Sequence, residues 1–324
     1  MNRRRLIAGG IAAALAWRPA IGAPRPNARV GYLELVREPD GERLYGEFVE
    51  GLRSHGYVEG RNLRLLRRSA GARPERLRPL AAELAAAKVD VIFAASTEAA
   101  RSAKIAAPGL ATVFVISGDP VLEGLVGSVS RPQGHLTGLT SRSEDLTAKR
   151  MQILKEAFPG IRAVALVGSN LSIAGVRFDD AARRLQLDVL QFPVQQFDDY
   201  RDAAAAVARS AADAVLVVED ADAVTNLYAF VRLMMATRRP VMFNADVFVD
   251  GNEGFGLMAY GVSLRQQYRR AAYLAARLLE GAKPSDLPVE FPTRYELVVN
   301  VRAAEEYSIT LPRELLLRAD RVVR

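Results

Sequence analysis

Short runs of β-branched and other apolar residues alternate with amphipathic stretches along most of the chain. The run 89–94 is continuously apolar, which predicts a strand buried on both faces of a sheet. The stretch 74–87 carries Leu77, Leu80 and Leu84 on one helical face, at spacings of three and four residues. Strands that alternate with helices favour parallel sheets with right-handed crossovers. The pattern therefore predicts an α/β fold built on doubly wound parallel sheets.

The same reasoning assigns elements to the rest of the chain. The predicted strands are 29–35, 62–67, 89–94, 112–116, 163–167, 187–192, 214–218, 241–244, 255–260 and 295–301. The predicted helices are 42–54, 74–87, 96–107, 144–157, 172–185, 199–211, 223–237 and 264–280, with two short helical pieces at the end.

Two β-α-β-α-β series follow one another, and the second begins after Thr140. They predict two doubly wound lobes with a ligand cleft between them, because ligands of such sheets bind outside the carboxyl ends of the strands. We read the segment after Gly251 as recrossing between the lobes through a multi-crossing hinge. The expected lobes are 28–140 plus 254–286, and 141–253 plus 287–324.

The first 22 residues have the layout of an export signal. Three arginines at 3–5 precede the uncharged run 6–17, which is shorter than the roughly 20 residues that span a bilayer. We expect cleavage after Gly22 rather than Ala23, since the later cut would leave Pro24 beside the scissile bond. The prediction is a periplasmic protein, exported by the general or the twin-arginine pathway. The alternative is a cytosolic protein with a basic N-terminal helix.

Composition removes several kinds of chemistry. The chain has no cysteine, which excludes disulfides, thiolate catalysis and the acylated cysteine of a lipoprotein. The formal net charge of +7 falls to about +3 without the four arginines of the first 22 residues, too little for a nucleic-acid footprint. His55 and His135 have no neighbours at metal-ligand spacing, and no nucleophile elbow or phosphate loop occurs. We therefore expect no enzymatic activity, no metal and no cofactor.

Polar residues in short loops follow the predicted strands. A helix start with two hydroxyls suits a carboxylate and acidic side chains suit an ammonium group, so together these loops would suit an amino acid. Each residue is also explained as a helix cap or turn former. The candidate ligand-binding residues are Arg37, Ser96, Thr97, Asp119, Ser169, Asn170, Asp220 and Asp246.

Several segments resemble the substrate-binding components of ABC importers with the type I periplasmic-binding fold, in the branch of tryptophan- and tyrosine-type proteins. They are GYVEGRN at 56–62, GDPV at 118–121 with GLV at 124–126, RPQGHLTG at 131–138, and LPVE at 287–290 with PT at 292–293. The chain departs from the family at 132–135, where Pro-Gly-Gly-Asn is usual, and at 169–172, where an Asn/Pro-rich loop is frequent. The second departure faces the expected cleft, so the ligand can differ from the family's aromatic amino acids.

The resemblance implies a monomeric periplasmic protein that closes its lobes around a small polar ligand and then docks on a membrane permease. In that role Asp119 would hold a cationic group and the helix start at 96–97 an anionic one. An alternative is a sensor that presents the same fold to a signalling partner. A third alternative is an enzyme on a doubly wound fold, such as a hydrolase or a reductase, and the missing nucleophile motifs argue against it. A DNA-binding repressor of this fold would need a helix-turn-helix where the export signal lies.

Overall fold

The computed structural model describes residues 25–141, 146–168, 171–218, 221–249 and 255–324. Its strands are β1 (Ala28–Glu34), β2 (Leu63–Ser69), β3 (Val91–Ala94), β4 (Thr112–Ile116), β5 (Leu136–Thr140), β6 (Ala163–Gly168), β7 (Asp188–Pro193), β8 (Ala214–Val217), β9 (Val241–Ala245), β10 (Met258–Val262), β11 (Glu296–Asn300) and β12 (Arg321–Val323). Its α-helices are α1 (Glu38–Ser54), α2 (Leu77–Ala86), α3 (Thr97–Ala106), α4 (Thr147–Ala157), α5 (Leu171–Leu185), α6 (Asp199–Arg209), α7 (Ala221–Thr225), α8 (Leu227–Met235), α9 (Leu264–Leu279), α10 (Val301–Glu306) and α11 (Arg313–Arg318).

The strands form two sheets, one in each lobe. The smaller sheet has the order β2-β1-β3-β4-β5, and all its neighbouring strands are parallel. The larger sheet has the order β12-β11-β10-β9-β8-β6-β7, and β10 and β11 are its one antiparallel pair among the described residues. The predicted α/β fold with two parallel-sheet lobes is confirmed.

Two strands and one helix differ from the prediction. β5 was not predicted because Gly138 interrupts its apolar pattern; a Cβ there would lie 2.1 Å from the carbonyl oxygen of Phe114, so the close pairing with β4 requires glycine. β12 was also not predicted. The single helix expected at 223–237 is divided at Asn226, whose φ of −119° and ψ of 41° are not helical.

Sheet membership shows where the described chain passes between the lobes. It crosses after β5, again between β10 and α9, and finally between Glu290 and β11. β10 lies in the larger sheet, whereas 254–286 was expected in the smaller lobe, where α9 and the short turn Pro284–Asp286 do pack. Conversely, Glu290 pairs with Leu139 of β5, although 287–324 was expected in the larger lobe. Backbone pairing decides these assignments, and the alternation of strands and helices does not reveal it.

An aromatic cluster lies beneath the carboxyl edge of the smaller sheet. Tyr32 of β1 packs edge-on against Phe48 of α1, and Phe48 stacks on Phe93 of β3 at a centroid distance of 4.3 Å. Tyr268 of α9 joins the cluster through Phe93. The first turn of α9 is thereby anchored to the smaller lobe. None of the described helices is long and apolar enough to cross a membrane.

Candidate functional site

A cavity lies between the lobes at the carboxyl edge of the smaller sheet. Its empty space, which includes a part open to solvent, amounts to about 630 Å³. Its described walls carry hydroxyl and apolar side chains and no charged ones. The lining residues are Leu35, Val36, Ala95, Ser96, Thr97, Val115, Ile116, Ser117, Ser141, Val224, Thr225, Leu264 and Tyr268.

The walls of this cavity come from both lobes. The ends of β1, β3, β4 and β5 supply one side, as expected for a doubly wound sheet. Val224 and Thr225 of α7 supply the opposite side from the larger lobe. Leu264 and Tyr268 reach the cavity from the first two turns of α9, directly after the chain has crossed between the lobes. A molecule held here would therefore touch both lobes and the crossing that joins them.

Ser96 and Thr97 lie in the cavity wall at the start of α3. Ser96 is the N-cap, with extended backbone, and its Oγ accepts a hydrogen bond from the Ala99 N–H at 3.1 Å. The remaining free N–H groups of the first turn give this helix end a partial positive charge. Of the predicted site residues that the structure describes, these two line the cavity.

Tyr268 is a cavity residue that the sequence did not indicate. Burial raises the pKa of its hydroxyl, and the nearby Glu34 carboxylate raises it further, while a hydrogen bond with Tyr32 lowers it. Because the net direction is upward from an ordinary value of 10, the hydroxyl stays neutral at physiological pH. Ser117, Ser141 and Thr225 were missed as well, because single hydroxyl residues carry no spacing signal.

Three of the predicted residues, Arg37, Asp119 and Asp246, lie outside this lining. The Oδ1 of Asp119 accepts hydrogen bonds from the N–H groups of Val121 and Leu122, at 2.8 and 3.2 Å, and so forms a turn. Arg37 is exposed, and its carbonyl accepts from the N–H groups of Asp40 and Gly41 at the start of α1. Ser169, Asn170 and Asp220 lie outside the described residues.

Asp246 is buried at the end of β9, with 2% of its surface exposed. Its Oδ2 accepts a hydrogen bond from Ser263 Oγ at 2.7 Å, and its Oδ1 accepts from the Leu264 N–H at 3.0 Å. Arg321 of β12 lies 3.5 Å from Oδ2. Both carboxylate oxygens are therefore engaged at the crossing into α9.

Comparison with known proteins gives one family match over almost the whole chain. A family described as "ABC transporter substrate binding protein" matches residues 29–323. The tyrosine-binding protein of Clostridioides difficile is 22% identical over 281 residues, which are 85% of this chain and 79% of that protein.

Solved structures share the two-lobed fold. An ABC domain from Streptococcus pneumoniae in complex with L-Trp has a TM-score of 0.78 at 22% identity, covering 92% of this chain and 100% of that one. A conserved domain protein from Vibrio cholerae also has a TM-score of 0.78, at 24% identity, covering 91% of this chain and 99% of that one. A solute-binding protein from Rhodopseudomonas palustris in complex with 4-hydroxybenzoate is more distant, with a TM-score of 0.51 at 17% identity over 81% and 76% of the two chains.

Proposed function

The chain belongs to the ABC transporter substrate-binding protein family, and on this premise we propose that it captures a small polar ligand between its lobes and delivers it to a membrane permease. The observation that carries the proposal is the interlobe cavity, whose walls come from the strand ends of one lobe, from α7 of the other and from α9. A ligand that contacts both walls binds the closed arrangement more tightly than an open one, and this difference in affinity drives closure.

The chemistry of the walls supports binding without turnover. The polar side chains of the described cavity walls are hydroxyls. The phenol of Tyr268 is the most acidic of them, and burial keeps it neutral by raising its pKa. No group of three or more His, Cys, Asp or Glu residues that could hold a metal ion occurs in the described ranges. The family itself is one of binding proteins rather than enzymes.

The ligand class that fits best is an amino acid with an apolar side chain. Hydroxyls beside the start of α3 suit a carboxylate, and Leu35, Val36 and Ile116 offer an apolar surface. Relatives that bind tyrosine and L-Trp make aromatic amino acids the first ligands to test. Asp220 is the proposed partner of the ammonium group, and Ser169 and Asn170 are the proposed contacts from the larger lobe, whereas Asp119 lies outside the described lining.

We place the mature protein in the periplasm, as a soluble monomer without a lipid anchor. The support is the basic and apolar layout of the first 22 residues and the absence of cysteine. Delivery to a permease distinguishes this role from sensing. Deleting the gene should abolish uptake of the ligand if the protein serves import and leave uptake intact if it serves signalling.

The composition of the chain provides a direct binding assay. Its single tryptophan is Trp17, so a protein that begins at Ala23 has none. Fluorescence excited in the indole band then comes from added L-tryptophan alone and reports its binding. A thermal-shift screen extends the test to other amino acids and to benzoates, because a ligand specific for the native state raises the melting temperature.

A variant that fills the cavity supplies the control. Ser117→Phe places a ring in the cavity wall, whereas Ser130→Phe places the same ring on an exposed loop. Binding should be lost in the first variant and kept in the second. Equal binding by both variants, or no melting shift with any amino acid or aromatic acid, would contradict the proposed site and ligand class.

A further inference from the structure

The segment that leads from β10 into α9 is held by a side chain from another element. Asp246, at the end of β9 in the larger lobe, accepts hydrogen bonds from Ser263 Oγ and from the Leu264 N–H. Ser263 is itself the N-cap of α9 and accepts from the Gln266 N–H at 3.4 Å. The larger lobe thus caps a helix that packs in the smaller lobe.

A buried arginine also holds the end of β10, just before the chain crosses into α9. Arg150 of α4, 1% exposed, donates from Nε to the carbonyl of Tyr260 at 2.7 Å and from Nη2 to the carbonyl of Asn244 at 3.1 Å. These carbonyls flank the place where the register of β9 and β10 shifts. At Gly261 a Cβ would lie 1.9 Å from the Asn244 carbonyl oxygen, so the chain passes here without room for a side chain.

A groove beside the crossing contains side chains from both lobes. Glu47 of α1 holds Arg265 and Arg269 of α9 within the smaller lobe. Arg321 of β12 approaches Asp246 from the larger lobe. The groove is thus lined by four arginines and four carboxylates whose charges balance. A network whose positive and negative charges balance suits a hinge better than a binding site for a charged ligand.

We propose that Asp246 is a positioning residue of the hinge rather than a contact of the ligand. Its carboxylate fixes the backbone at Ser263 and Leu264, and so sets the direction in which α9 leaves the larger lobe. Leu264 and Tyr268, in the first two turns of α9, line the ligand cavity. Asp246 therefore controls the orientation of the lobes that binding needs, a role that rests on the proposed ligand-binding function.

Loss of this carboxylate should widen the range of lobe orientations. A smaller fraction of the protein then has the orientation that binds, and the apparent affinity falls by that fraction. We expect Asp246→Ala, which removes both hydrogen bonds to the charged acceptor, to weaken binding of L-tryptophan about tenfold or more. Asp246→Asn, which keeps one carbonyl acceptor, and Ser263→Ala, which removes one of the two bonds, should have smaller effects in the same direction.

The absence of cysteine makes the lobe orientation measurable. Cysteines introduced at Leu122, 88% exposed in the turn after β4, and at Gln195, exposed after β7, accept one spin label on each lobe. The distribution of distances between the labels is then measured without ligand, in the full mature protein. Asp213→Asn is the matched control: its Oδ2 accepts from the Arg162 and Ala163 N–H groups at the amino edge of the larger sheet.

The expected result is a broader distance distribution in Asp246→Ala and Ser263→Ala, and an unchanged one in Asp213→Asn. A loss of L-tryptophan binding with an unchanged distribution would overturn the proposal, because Asp246 would then contact the ligand. Unchanged distances in both Asp246→Ala and Ser263→Ala would also overturn it. Failure of the unsubstituted protein to bind L-tryptophan would count against the proposed ligand, and the ligand-free distances would still decide the role of Asp246.

Discussion

The backbone N–H of Tyr228, in the first turn of α8, lies close enough to the carboxyl group of Asp40, in the first turn of α1, to lower its pKa. The two helices belong to different lobes, so this interaction spans the cleft. Asp40 thereby places a carboxylate near the start of a helix in the opposite lobe, where a negative charge is favourable.

Asp40 should make lobe closure depend on pH. Burial raises the pKa of Asp40 above its ordinary value of 3.8, and the opposing effects of Arg37 and the Tyr228 N–H do not cancel this. If the group returns to its ordinary pKa when the cleft opens, the closed protein binds more protons in the window above pH 3.8. Closure and ligand affinity should then be strongest at the acidic end of that window and weaken as pH rises through the raised pKa.

Isothermal titration calorimetry of the protein and of Asp40→Asn across this window tests the prediction. The variant keeps a carbonyl acceptor for the Tyr228 N–H but cannot titrate, so it should lose this part of the pH dependence. Titrations of the ligand and of other groups affect both proteins and cancel in the comparison. The same pH profile for both proteins would show that Asp40 does not contribute.

Ser96 and Thr97 allow helix capping to be separated from ligand binding. Ser96→Ala removes the acceptor for the Ala99 N–H and should lower the free energy of unfolding by about 1 kcal/mol. Thr97→Val removes a cavity hydroxyl that accepts no such cap bond; it should leave stability within about 0.5 kcal/mol and weaken ligand binding severalfold. Urea denaturation and fluorescence titration measure the two effects. Equal loss of stability in both variants would contradict this division.

Some elements could be predicted from the pattern alone, and others depended on tertiary contacts. β4 was predicted with its observed bounds because 112–116 is an uninterrupted apolar run. β5 was missed because glycine is required at 138 by the close approach of Phe114 in β4, and the sequence of β5 does not show this contact. Tyr268 was missed because the face of α9 that reaches the cavity depends on how the chain passes from β10 into α9, which the sequence pattern does not show. An aspartate at a strand end looks alike whether it binds ligand or, as Asp246 does, caps a helix.

Gln267 is a buried amide whose replacement should stabilise the protein. It is 6% exposed on α9, and neither its Oε1 nor its Nε2 has a hydrogen-bond partner within the described part of the chain. An unsatisfied buried polar group costs about 1–3 kcal/mol, so Gln267→Met, of similar shape, should raise the free energy of unfolding by about 1 kcal/mol. Gln266→Met is the control, since Gln266 is exposed and its Nε2 donates to Glu296 Oε1. A melting temperature no higher than that of the unsubstituted protein would refute the prediction.

The first 22 residues should be absent from the protein recovered from the periplasm. Expression of the whole chain in a bacterium with both export pathways, followed by intact-mass measurement, should give a chain that begins at Ala23. Replacing Arg3 and Arg4 with lysine should stop export if the twin-arginine pathway is used and leave it intact if the general pathway is used. Recovery of the full-length chain from the cytoplasm alone would contradict the export signal.

Arg150 should contribute more to stability than any exposed arginine. Its guanidinium is buried and satisfies the carbonyls of Tyr260 and Asn244 where β10 departs from its register with β9. Arg150→Met leaves both carbonyls without this donor, at about 1–3 kcal/mol each, so we expect a total loss of about 2–6 kcal/mol in urea denaturation. Arg150→Lys keeps the charge but not the planar guanidinium that reaches two acceptors. Its free energy of unfolding should therefore lie between those of the unsubstituted protein and Arg150→Met.

The control for this prediction is Arg183→Met, which removes an arginine with 72% of its side chain exposed and an ion pair to Asp180 one turn away. Exposed pairs of this kind contribute about 0–1 kcal/mol, so this variant should stay close to the unsubstituted protein. Hydrogen exchange gives the location of the effect: in Arg150→Met the amides of β10 should exchange faster, while those of β4 in the other lobe should not. If Arg150→Met were as stable as Arg183→Met, the carbonyls at the shift in register would have found other donors, and the crossing into α9 would not depend on Arg150.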